Sequence, residues 1–152
     1  MLFDIRFLTE CLRSPGWEWT AVAVGQLLSA LELQPVSEER FTDRRKYRAP
    51  SGLVCVLHTD PGTRQPNRLE FLLDVPLELS TAEGRRLYAE GCAWPLRAFL
   101  GGRAFEGGAG DAGFPAASVA TYRVHWVEPN VRVALESRPS STDPDDAVAL
   151  VI

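Results

Sequence analysis

The sequence predicts an α+β fold: a twisted, mostly antiparallel sheet of five or six strands with helices packed on one face. Three observations predict it. Apolar residues recur at helical spacing near residues 3–12, 20–34 and 80–100, while alternating or short continuous apolar runs of strand length fill the other stretches. Successive strand candidates are joined by short turn-forming segments, which suits hairpins rather than the regular βα alternation of a doubly wound sheet. The chain has 152 residues, 45% of them hydrophobic, enough for one core and too few for two comfortable ones, so 1–152 reads as a single domain. The order is α-α-β-β-β-α-β-β-β, and no internal repeat is visible in the residues.

Taken in order, Phe3, Phe7, Leu8, Cys11 and Leu12 mark a short helix stopped by Ser14-Pro15-Gly16. Trp17-Glu18-Trp19 leads into Thr20, an N-cap for a second helix whose apolar face is Val24, Leu27, Leu28 and Leu31, ended by Pro35. Three strands follow at 41–48, 53–59 and 68–75 as an antiparallel meander. The run Leu53-Val54-Cys55-Val56-Leu57 suits a central strand covered on both faces. Ser80-Thr81-Ala82-Glu83 fits a capping box opening a helix from about 80 to 100, with Leu87, Tyr88, Cys92, Leu96, Phe99 and Leu100 as its stripe. Gly84, Gly91 and Pro95 predict a kink or break near Gly91. A parallel crossover stays open where this helix joins the two groups of strands. Tyr122 to Trp126 and Val131 to Leu135 alternate about Glu128-Pro129-Asn130 as a hairpin, Ser137 to Asp146 reads as an exposed loop, and Val148, Leu150 and Ile152 read as a closing strand.

Composition narrows the function classes. The net charge is −4, with nine basic against ten acidic residues up to Pro76 and seven against ten after it. Neither half has the cationic excess that phosphate neutralisation requires, so nucleic acid is not an expected partner. No apolar stretch has the length of a membrane span, and the start Met1-Leu2-Phe3-Asp4 lacks the features of a signal peptide, so a cytoplasmic location without membrane association is expected. Cys11, Cys55 and Cys92 are odd in number, widely spaced and set among apolar residues, which favours buried free thiols over a disulfide or metal site.

No catalytic, metal or cofactor constellation emerges. His58 and His125 lie in strands without ligands at metal spacing, so structural roles are expected. A Cys55–His125 nucleophile pair needs an exposed, electropositive thiol, whereas Cys55 sits mid-strand among Val and Leu. The Gly-rich run 101–110 lacks the Lys-Ser/Thr of a phosphate-binding loop and follows a helix rather than opening one, so it reads as a flexible surface loop. Arg40, Arg44, Arg45, Lys46 and Arg48 read as a charged edge strand rather than an RNA-facing one. Asp143, Asp145 and Asp146 lack the spacing of an EF-hand and read as an acidic, solvated turn able to face a basic partner. Trp17 and Trp19 are expected to fill the core, and to become partner contacts wherever they are exposed.

Trp17-Glu18-Trp19 before an apolar helix, a long helix ended by Gly101-Gly102, and Val124-His125-Trp126 turning into Val131 to Leu135 form a layout that resembles small immunity proteins of bacterial polymorphic toxin systems and related small proteins of high-GC bacteria. The resemblance implies a non-enzymatic protein, without cofactor, that binds a cognate toxin domain as a monomer or homodimer and occludes its active site. The expected partner-binding residues are Glu106, Asp111, Asp143, Asp145, Asp146, Trp17 and Trp19, the carboxylates meeting a basic cleft. A second likeness of layout, to small secretion-system chaperones, implies instead a dimer whose apolar face receives an effector segment. An enzyme whose catalytic groups come together only in three dimensions is the third reading.

Overall fold

The computed structural model describes residues 8, 10, 11, 17–36, 43–102, 105–114, 120–128, 131–138 and 148–152, excepting the side chain of residue 99. Leu8, Glu10 and Cys11 are helical, and the rest of the first expected helix lies outside the described residues. The next helix, α1 (Ala21–Ala30), starts where Thr20 predicts: its hydroxyl accepts from the Ala23 backbone N–H at 3.1 Å. It ends on Glu32 at φ +56°, with the Leu33 N–H returning to the Leu28 carbonyl, a closure that buries Leu28 and Leu33 together in the core.

Eight strands form one sheet: β1 (Gln34–Pro35), β2 (Arg44–Arg48), β3 (Val54–Thr59), β4 (Pro66–Leu72), β5 (Phe105–Gly108), β6 (Tyr122–Val127), β7 (Arg132–Ser137) and β8 (Val148–Val151). Their spatial order is β1-β2-β3-β4-β8-β7-β6-β5, and every pairing is antiparallel. The α+β class and antiparallel sheet are therefore as expected, and the count is eight rather than five or six. The additional strands are β1 and β5. The first is two residues long and contains Pro35; the second is half glycine, so neither carries a strand-forming pattern of its own. The Gly-rich segment is thus partly ordered strand rather than loop throughout.

Directly paired residues share a face of the sheet. One such row runs Pro35, Tyr47, Cys55, Phe71, Leu150, Leu135, Val124 and Glu106. Its central members join one buried cluster with Val24, Leu27 and Leu28 of α1 and with Ala89, Cys92, Ala93 and Leu96 of α2 (Ala82–Leu100), which places the core between the sheet and the helices. The predicted hairpin forms, and its alternation holds on β6, where Tyr122, Val124 and Trp126 are buried; on β7 Val133 and Leu135 are buried as expected, but so are Ala134, Glu136 and Ser137, because both faces of this strand are covered. Ser137, expected to open an exposed loop, is instead the buried last residue of β7, where its carbonyl receives the Thr121 N–H at 2.8 Å.

Three expectations for α2 change. The N-cap is Thr81, whose hydroxyl accepts from the Gly84 N–H at 3.0 Å, rather than Ser80. The helix runs unbroken through Pro95. Leu87 leaves the stripe and is 53% exposed, because 100° per residue sets it about 140° from Cys92. Gly84 is required sterically: a Cβ there would lie 2.7 Å from the backbone of Leu79 in the 3₁₀ turn Leu77–Leu79.

Candidate functional site

A polar concavity lies at the β5 edge, between α2 and strands β5 and β6. Arg86, Glu90, Glu106, Gly107, Gly108, Asp111, Thr121 and Tyr122 are among the residues lining this groove of about 560 Å3. Two of the expected partner-binding residues, Glu106 and Asp111, therefore meet in one place. Glu106 ends the core row of the sheet, where the apolar layer gives way to polar groups. Its Oε1 accepts from the Tyr122 hydroxyl at 2.6 Å and from Arg97 Nη2 at 2.9 Å. Burial and the Glu106 carboxylate push the Tyr122 phenol far up, so it stays protonated and donates. The Arg86 guanidinium lies over the Tyr122 ring, 5.6 Å from its centroid, and pairs one helical turn on with Glu90 at 3.1 Å.

The groove floor depends on two glycines. Asp111 Oδ2 accepts from the Gly108 N–H at 2.7 Å, and a Cβ on Gly107 would lie 2.9 Å from both that oxygen and the Phe105 ring. Phe105 shares the Gly107 face of β5, opposite Glu106, where it is stacked on His125 and edge-on to Phe114, and Asp111 reaches over the strand edge towards this face. Chemically, the site offers three carboxylates, Glu90, Glu106 and Asp111, held in defined positions. Such an array accepts cationic hydrogen-bond donors.

The opposite face of the sheet carries a separate ionic network. Glu70 on β4 contacts Arg68 at 3.2 Å, His58 at 3.4 Å and Arg138 at 3.1 Å; Arg138 also reaches Glu136 at 3.2 Å, and Glu136 pairs with Arg123 at 3.0 Å. Burial raises the Glu70 carboxyl, but His58, Arg138 and Arg68 outweigh it and hold the group at about 2. With β8 lying between β4 and β7, the Glu70–Arg138–Glu136 bridge straddles the centre of the sheet. A carboxylate so firmly ionised and paired acts as a structural tie rather than a proton carrier.

The other expected residues fall elsewhere. Trp17 is buried in the core and Trp19 packs against it, rings edge-on at 5.7 Å, so both rings take the core position that the sequence predicts for them. Asp143, Asp145 and Asp146 lie outside the described residues. Cys55 and His125 occupy opposite faces of the sheet and cannot pair, and burial pushes the Cys55 thiol far up. Cys55 and Cys92 are buried free thiols and Cys11 is half-buried. Among the described residues, no group of His, Cys, Asp and Glu side chains is placed to hold a metal, and no helix is long and apolar enough to cross a membrane.

Sequence reasoning missed Arg86, Glu90, Arg97 and Tyr122 as members of the site. The i, i+4 spacing of Arg86 and Glu90 was the one local signal; the Glu106–Tyr122 contact spans sixteen residues and depends on the β5–β6 register. Comparison with protein-family models, with curated proteins and with solved structures returns no match for this chain.

Proposed function

We propose that this chain is a non-enzymatic binding protein that docks on a partner protein through the β5-edge groove, and that it is an immunity protein neutralising a cognate bacterial toxin domain by occluding its active site. The observation that carries the reading is the convergence of Glu106 and Asp111 with Glu90 in one groove. Clefts that bind nucleic acids or nucleotides are lined with cations, and a rigid carboxylate array is their electrostatic complement. The fixed partners of Glu106 lower the ordering cost of association.

The test is co-expression with the product of the neighbouring upstream gene in a sensitive host, together with purification of the complex. Growth arrest by that product alone, relieved by this chain through a stoichiometric complex, is the expected result. Undiminished toxicity, or relief without a complex, overturns the reading. The secretion-chaperone alternative draws support from the exposed Leu87 and Trp94 on α2. It requires a dimer, and light scattering that gives a strict monomer removes it.

A further inference from the structure

An open sheet ends in two strands whose outer backbone groups have no neighbouring strand, and such edges add strands from other chains unless something closes them. Among the described residues β1 and β5 hold these positions. Beside β1 the Val36 N–H points inward, to the Lys46 carbonyl at 2.9 Å, so the backbone of the preceding residue, Pro35, faces outward. Proline has no N–H, and that position offers no donor to a further strand.

β5 contains no proline to do the same, and a different contact closes it. Just beyond Gly108 the Ala109 N–H donates inward, to the Thr121 carbonyl at 3.1 Å. Adjacent residues of a strand turn their backbone groups to opposite sides, so those of Gly108 face away from β6. One residue takes both of them. The Gly108 N–H donates to Asp111 Oδ2 at 2.7 Å, and the Gly108 carbonyl accepts from the Asp111 N–H at 3.1 Å. Asp111 is itself exposed, and the absent side chain of Gly107 leaves room for it to fold back over the strand. The closure of this edge therefore rests on a surface side chain and not on the core.

We infer that Asp111 is a latch on the open edge of the sheet: closed, it keeps β5 from accepting a further strand, and released, it lets β5 pair edge to edge with β5 of a second copy of this chain. The second copy is the occupant because the edge is self-complementary. A two-fold antiparallel pairing centred on Gly107 sets Glu106 of each chain opposite Gly108 of the other, so the two carboxylates are not directly opposed, and the glycines bring no side chain into the seam. The latch acts on the strand edge whether or not the groove seats a partner.

The deciding experiment is analytical sedimentation of the full chain over a range of concentrations, beside Asp111→Ala, Asp111→Asn and the double variant Asp111→Ala with Gly108→Pro. Alanine removes the side-chain acceptor. Asparagine keeps an oxygen acceptor in the same place without the charge, and proline removes the outward N–H itself, as Pro35 does on β1. Asp111→Ala is expected to self-associate at least about tenfold more tightly than the wild-type chain, with Asp111→Asn and the double variant returning to the wild-type level. Amide exchange at Gly108 reads the same contact without a proline: in Asp111→Ala it is expected to speed up in dilute solution and to slow again as the chains associate. Association of Asp111→Ala no tighter than wild type, equal association in Asp111→Asn, association that survives Gly108→Pro, or a Gly108 amide indifferent to Asp111→Ala overturns the latch.

Discussion

Glu70 shows how a single side chain couples stability to pH in this protein. Its folded-state carboxyl titrates at about 2 against an ordinary value of 4.5. The unfolded chain therefore binds the proton first on acidification. The stabilisation is fully present above pH 4.5 and disappears as pH falls through that window towards 2, a contribution on the order of 3 kcal/mol. In Glu70→Gln the group no longer titrates, and melting temperature is expected to fall less steeply between pH 4.5 and 2 than in the wild-type chain, from a lower starting value at pH 7. Parallel slopes for the two proteins refute the assignment. Gly107 is a second residue whose role is local. Its missing side chain lets Asp111 fold over β5, so Gly107→Ala is expected to cost about 1–3 kcal/mol, read as a shift of the denaturant midpoint.

Among the elements, α2 is held by its buried face and by two contacts at its first turn. The Thr81 cap satisfies one of the free N–H groups there, and Gly84 lets the preceding 3₁₀ turn pack directly on the helix. Thr81→Ala is expected to cost about 1 kcal/mol. Gly84→Ala is expected to cost 1–3 kcal/mol despite better helix propensity, because a Cβ would press on the Leu79 backbone. A Gly84→Ala chain as stable as wild type in urea melts excludes that contact. These elements also show what can be read from residues alone. The α1 cap at Thr20 and the β6–β7 hairpin were legible because their signals are local: a hydroxyl before an apolar face, and alternation about a turn. β5 was not, since Gly107 and Gly108 have no strand preference and the strand exists through its register with β6. Leu87 was assigned to the wrong face because its apolar character outweighed its phase. In the site, Glu106 and Asp111 were recognisable as acidic residues of a loop able to meet a basic cleft, whereas Glu90 and Tyr122 join them only through folding.

On the scale of the whole molecule, a helix followed by a four-stranded antiparallel meander occurs twice, α1 with β1 to β4 and α2 with β5 to β8, and the seam between the two sets, where β4 meets β8, decides whether the chain folds as one unit. The repeat lies in topology, not in residues: Phe71 faces Leu150, Cys55 corresponds to Leu135, and Tyr47 to Val124. No sequence likeness between the sets survives to announce it. The last strand, β8, lies at the centre of the sheet between β4 and β7, although it comes last in the described chain. Val148, Leu150 and Ile152 are all buried in the main core, and burying side chains of this kind contributes about 1.5–3 kcal/mol each. Their sum approaches the 5–15 kcal/mol net stability of a typical domain before any strand pairing is counted. Removal of residues 148–152 also uncovers Phe71 and Leu135 and leaves no described strand pairing between the two sets. The shortened chain is therefore expected to lose cooperative thermal unfolding by circular dichroism and to expose apolar surface to a hydrophobic dye. A cooperative melt in the shortened chain requires instead that β4 and β7 pair directly or that each set folds alone, and the central position of β8 then has no energetic weight.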